Sequence, residues 1–177
     1  MKARKVPRSE FRLAGIPRSQ IDQTLKEFNI RRERKVFRDK SGNVIEKALL
    51  ITHCCRTKLA SGLPTSMYVG DRNLRFYEGC RKRRERYAIL SDLYGIHFDD
   101  EHLDYYDKGP GQLTDEDLWE CGRLIGVKMK ERGLKSLHYV ASPPSCAVPY
   151  LIMLMASGID FSYDFKLPPM EKVGLFY

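Results

Sequence analysis

From residue 44 onward, short apolar runs alternate with segments whose apolar residues recur at helical spacing, and this alternation limits the fold most. Residues 48–52 (Ala-Leu-Leu-Ile-Thr), 87–90 (Tyr-Ala-Ile-Leu) and 137–141 (Leu-His-Tyr-Val-Ala) read as strands. The first is continuously apolar up to Thr52, as befits a strand buried on both faces. Between the strands, residues 71–86 put Leu74, Tyr77 and Cys80 on one helical face. Thr114 followed by Asp115, Glu116 and Asp117 starts a further helix, because carboxylates favour the positive end of the helix dipole. Its core stripe is Leu118, Cys121, Ile125 and Met129, and Gly133 closes it. Ser142-Pro143-Pro144-Ser145 leads into a helix through about residue 156, Gly158 ends it, and 159–161 reads as a short edge strand. The pattern predicts an α/β fold, a three-layer domain with a mainly parallel sheet and right-handed crossovers. Ligands in such sheets sit beyond the carboxyl ends of the strands, which points to loops 53–70, 91–113 and 142–146.

The segment before this domain has a different character. Residues 1–47 hold 14 Lys/Arg against 6 Asp/Glu, whereas 48–177 hold 17 of each, so the whole net charge of +8 belongs to the first quarter of the chain. Ser9 caps a short predicted helix that Gly15 ends; Pro17 opens a second, with Ile21, Leu25 and Phe28 at helical spacing. Residues 33–38 and 43–51 flank Asp39-Lys40-Ser41-Gly42 and read as a hairpin. Helix, helix and hairpin form a small basic module over 1–47, helix-turn-helix or winged-helix-like, ahead of the α/β domain at 48–177. Arg18, Arg31, Arg32, Arg34, Lys35 and Arg38 are its candidate phosphate contacts, since a concentrated positive field gains from counterion release. The alternative is a helical cap packed on the main domain.

No apolar run approaches the roughly 20 residues of a membrane span, and no apolar segment follows the basic start as in a secretory signal. The five cysteines, Cys54, Cys55, Cys80, Cys121 and Cys146, include no C-x-x-C pair. Reduced thiols in a cytoplasmic protein are the simpler reading. His53, Cys54 and Cys55 are contiguous, but the other histidines and cysteines are scattered, so no metal is expected.

Three stretches carry candidate chemistry. In Cys54-x-x-x-Lys58, a thiol just past a strand end lies near a cation that favours the reactive thiolate; alternatively the sulfur is buried filler and the lysine solvated. Adjacent residues on an extended chain point opposite ways, so at most one of Cys54 and Cys55 faces the site. In Ser91-Asp92-Leu93-Tyr94-Gly95, a hydroxyl and a carboxylate follow a strand end, and Gly95 permits a sharp turn; a polar strand cap is the competing explanation. In 98–111, Asp99, Asp100, Glu101, Asp104 and Asp107 surround Tyr105 and Tyr106. Asp107 is the candidate acid/base, and an aromatic of the pair is placed to stack on a base.

The order of these elements resembles a family of small α/β domains related to the peroxide-stress protein YaaA. Cys54-x-x-x-Lys58, Met67-Tyr68-Val69-Gly70, Tyr87-Ala88-Ile89-Leu90-Ser91-x-x-Tyr94-Gly95 and Tyr106-Asp107 match its C-x-x-x-K, L-Y-x-G/S, W-Y-I-L-S-A-K-Y-G-L and P-Y-D elements. The catalytic module of archaeosine synthase, a tRNA base-modifying enzyme, has a similar Cys-x-x-x-Lys loop. The resemblance covers about residues 48–160. Asp92-Leu93 stands where the family has Ala-Lys, and Tyr105 where Pro is common. It implies a site for a nucleobase or nucleotide, with Cys54, Lys58, Ser91 and Asp107 as catalytic residues and Tyr68, Tyr94, Gly95 and Tyr106 as substrate contacts.

A nucleobase-modifying enzyme acting on RNA or DNA, of transferase or glycosylase type, is therefore the leading expectation; the sequence names no cofactor. A non-catalytic nucleic-acid binder and an enzyme acting on free nucleotides or nucleosides are the alternatives.

Overall fold

The computed structural model describes residues 23, 26, 27, 30, 31, 33–140 and 144–164, with the side chains of 144–146 excepted. The helix-turn-helix reading, Arg18, Arg32 and the tail beyond residue 164 lie wholly or mostly outside the described residues.

The element order is β1 (Val36–Arg38), β2 (Val44–Lys47), β3 (Leu49–His53), α1 (Pro64–Met67), α2 (Asp71–Arg83), β4 (Tyr87–Ser91), β5 (Gly95–Phe98), α3 (Asp115–Glu131), β6 (Ser136–Val140), α4 (Pro144–Ser157) and β7 (Asp160–Asp164). β1 and β2 form the expected antiparallel hairpin. Asp39 closes its turn by accepting from the Ser41 and Asn43 amides. The other five strands form one sheet in the order β5-β4-β3-β6-β7, parallel except for β5, which runs antiparallel to β4. The fold is thus α/β with a mainly parallel sheet. Among the described residues, no helix is long and apolar enough to cross a membrane.

The connectivity fixes where a site can form. β3 leads to β4 in one direction and β6 leads to β7 in the other. The right-handed crossover rule sends the connections α2 and α4 to opposite faces of such a sheet, and the point where the strand order reverses, at the carboxyl ends of β3 and β6, is where ligands sit in sheets of this kind. On one face α3 packs against α4: a Cβ on Gly122 would meet the Met153 carbonyl oxygen at 2.6 Å. Thr114 and Asp117 form a reciprocal capping box at the start of α3.

Four details differ from the sequence reading. The strand predicted over 43–51 divides at Ala48, with β2 pairing to β1 and β3 entering the main sheet. Leu74 is exposed, and the buried face of α2 is Asn73, Phe76, Tyr77 and Cys80. The helix ends at Arg83, with Arg84 in the left-handed region at φ 53°. Finally, the 91–113 connection contains β5, reached through Gly95 at φ +71°. A Cβ there would lie 2.5 Å from the Cys121 carbonyl oxygen, so both backbone angle and space demand glycine.

Candidate functional site at the carboxyl ends of the central strands

Cys54 continues β3 by one residue, its amide donating to the Leu90 carbonyl at 2.8 Å. This pairing holds its side chain beside the end of β4. The Cys54 thiol donates to Asp92 Oδ2 at 3.0 Å, and the Tyr150 hydroxyl donates to Asp92 Oδ1 at 2.8 Å. Tyr150 Oη also lies 3.4 Å from Cys54 Sγ. All three are buried, Asp92 completely. Tyr150 comes from α4 and lies flat on the His53 ring, centroids 4.5 Å apart and planes 5° apart.

Cys55 points elsewhere, as the alternation of an extended chain requires. Its thiol donates to the Thr57 carbonyl at 3.0 Å and accepts from the Gly70 amide at 3.2 Å. A Cβ on Gly70 would come within 3.0 Å of the Cys55 side chain, which accounts for glycine in the Tyr68-Val69-Gly70 element.

Lys58 is half-buried. Its ammonium donates to the Lys108 carbonyl at 2.9 Å and sits 4.6 Å above the Tyr106 ring centroid. Among the described residues no carboxylate forms an ion pair with it. Its charge instead acts on Cys54 and Asp92, favouring the anionic form of each.

Ser91 heads a second buried chain. Its hydroxyl donates to Tyr106 Oη at 2.9 Å and accepts from the amides of Leu93 and Tyr94. Tyr106 Oη is 3.4 Å from Tyr68 Oη, which is 3.3 Å from His97 Nδ1. His97 Nε2 lies 2.7 Å from the Glu101 carbonyl oxygen, which can only accept, so the proton is on Nε2 and Nδ1 accepts from Tyr68. Backbone pairing of Gly62 with Leu103 ties the 53–70 and 99–113 segments together over this chain. Tyr94 is half-buried, donates to the Asp104 carbonyl and meets Tyr106 edge-on at 5.6 Å.

Burial governs the electrostatics. It pushes the Cys54 thiol up to about 12, with the Asp92 charge adding to the rise, so the resting sulfur is protonated. Asp92 is also raised by burial, against the opposing hydrogen bonds from Cys54 and Tyr150. Tyr68, Tyr106 and Tyr150 are all raised, burial again the largest cause, and stay neutral. His53 is held neutral by burial and by the adjacent Arg72 charge. Arg72 bonds His53, Thr52 and the Val140 carbonyl across the ends of β3 and β6.

The candidate residues thus fall into three groups. Cys54, Lys58, Ser91, Tyr68 and Tyr106 gather at one end of the sheet, with Tyr94 and Gly95 shaping the turn beside them. Asp107 is exposed and takes no part in the buried hydrogen bonds. Arg34 and Lys35 lie at the opposite end of the strands, engaged with the main domain. Arg34 donates to the Ala48 carbonyl and to Glu85, and Lys35 pairs with Asp160. The Arg31 carbonyl accepts from the Tyr163 amide, and the Arg38 side chain caps its own hairpin through the Gly42 carbonyl.

Of the two central residues, Asp92 is noted in the sequence reading without a role, and Tyr150 is not singled out. Asp92 had a readable signal, a carboxylate directly after a strand-terminal serine. Tyr150 had none, since its approach depends on how α4 crosses the sheet. No family model, curated protein or solved structure matches this chain.

Proposed function

We propose that the chain is a nucleobase-modifying enzyme acting on RNA or DNA, with Cys54 as its reactive group. The supporting observation is the convergence of a thiol, a carboxylate, a lysine and three phenols at the carboxyl ends of parallel strands. Buried polar groups of this density lower stability unless they are fully bonded, and they cluster where chemistry is done. Within the proposal the reactive part is the sulfur, which bonds to a substrate carbon. Lys58 supplies positive charge to a developing anion, and Ser91, Tyr106 and Tyr68 brace the two loops that flank the sulfur. Exposed Tyr105 offers an apolar ring on the same connection for stacking of an unpaired base. The similarity of the Cys-x-x-x-Lys, Ile-Leu-Ser-x-x-Tyr-Gly and Tyr-Asp elements to YaaA-related domains points to the same class of ligand, and the excess charge of residues 1–47 suits a phosphate backbone.

The test is the nucleoside composition of RNA and DNA from cells producing the wild type or Cys54→Ala. A nucleoside of altered mass, or a lost base, that disappears in Cys54→Ala is the expected result. Identical profiles from the two cultures would overturn the proposal.

One observation favours a second reading, an enzyme acting on free nucleosides or nucleotides. Arg34 and Lys35 are bound to the main domain at the end of the strands remote from Cys54. Turnover of a free nucleoside that is unaffected by competing nucleic acid would select this reading.

A further inference from the structure

We propose that Asp92 is the general base for Cys54, and that the pair serves addition of the sulfur to an electrophilic ring carbon of a nitrogen heterocycle. This rests on the base-modifying reading above and names the reaction class within it.

The Asp92 carboxylate makes two hydrogen bonds. One carboxylate oxygen accepts the thiol proton at 3.0 Å and the other accepts the Tyr150 hydroxyl at 2.8 Å, in a fully buried position. Tyr150 is held in place by stacking on His53, which Arg72 and Tyr139 bond in turn. A carboxylate held in this way keeps Oδ1 on the Tyr150 hydroxyl and Oδ2 directed at the proton on Sγ. A thiolate formed in advance is opposed by burial and by the neighbouring anion, so the pair favours removal of the proton during attack rather than before it. In the step itself, a sulfur lone pair bonds to the ring carbon. The carbon–nitrogen π pair moves onto nitrogen, and the S–H proton passes to Asp92 Oδ2. The negative charge leaves Asp92 and arrives on the substrate nitrogen, where the Lys58 ammonium, whose charge already acts on Cys54 and Asp92, favours it. Nothing is oxidised or reduced. The charged groups that act on the sulfur or on Asp92 are Asp92 itself, Lys58 and Lys108, and the neutral titratable groups beside them are Tyr150, Tyr68 and Tyr106.

The experiment is the pH–rate profile of Cys54 alkylation by iodoacetamide, read on the Cys54 peptide by mass spectrometry in the folded full-length protein without nucleic acid. General-base help predicts a flat segment between the titration of Asp92 and that of the thiol. At neutral pH the rate there lies at least about tenfold above the line extrapolated from the alkaline limb. In Asp92→Asn the flat segment disappears and the alkaline limb moves to lower pH, because the anion that opposed ionisation is gone. Asp92→Glu keeps the flat segment. A wild-type profile with one alkaline limb only, no labelling of the folded wild type, or a flat segment that survives in Asp92→Asn would each overturn the assignment. The wild-type profile decides the matter even if Asp92→Asn does not fold. A flat segment together with unchanged nucleosides in cells would retain the thiol–carboxylate pair and remove the nucleic-acid reading instead.

Discussion

Cys54 illustrates why a spacing rule reads only half of a site. Cys54-x-x-x-Lys58 suggested a thiolate stabilised by a cation, and the lysine charge does favour that anion. Burial and Asp92 outweigh it, because a desolvated sulfur beside a carboxylate holds its proton firmly. The sequence could show the lysine; it could not show that Asp92 turns back toward position 54. The same burial acts on the buried histidines His53, His97 and His138. His138 is held down to about 4 by burial and by the Arg34 charge, and its Nδ1 lies 2.8 Å from Ser162 Oγ. The unfolded chain takes up this proton near pH 6.5 and the folded chain only near 4. The contribution of His138 is therefore complete above about pH 6.5 and is lost as pH falls toward 4, by roughly 3 kcal/mol in all. Urea unfolding of the wild type across this range should show the decline. His138→Gln should reduce the slope, leaving the part due to His53 and His97, which are lowered in the same direction. An unchanged slope in the variant would remove His138 from this role.

At the level of elements, periodicity located the four parallel strands and the two long helices flanking the middle of the sequence, because each must bury a stripe. It failed where the signal was too short or the stripe ambiguous. β5 spans only Gly95–Phe98 and gains its place through antiparallel pairing with β4, a tertiary event. In α2, Leu74 looked like core by type alone, yet the neighbouring 73-76-77-80 positions form the buried face. α3 packs closely on α4 at Gly122, and glycine permits it. A Cβ on Gly122 would lie 2.5 Å from the Ala156 Cβ and 2.6 Å from the Met153 oxygen, neither of which can rotate away. Gly122→Ala should therefore lower the unfolding free energy by about 2 kcal/mol despite its better helix propensity. Gly109→Ala, with nothing within 4 Å of the added methyl, should change it by less than about 0.5 kcal/mol. Equal denaturation midpoints for the two variants would contradict this packing.

Across the whole molecule, the charge asymmetry was visible in the sequence but its local use was not. A basic hairpin residue reads the same whether it faces phosphate or its own protein. Arg34 is of the second kind among the described contacts: its Nε bonds the Ala48 carbonyl and its Nη1 bonds Glu85 at 2.7 Å, with both side chains largely shielded. Arg34→Ala should cost about 2 kcal/mol in urea unfolding and leave nucleic-acid affinity nearly unchanged once the folded fraction is allowed for. Full stability with weakened binding would move Arg34 to an interface.

The proposed function requires that a reactive sulfur and a nucleobase ligand meet at Cys54. The most direct measurement is the rate of Cys54 alkylation in the folded protein with each common nucleobase and nucleoside added in turn. Selective slowing at Cys54 by one of them, with labelling at Cys55 unchanged, is the predicted result. Cys54 labelling indifferent to every base and nucleoside, in a protein that melts cooperatively, would contradict it.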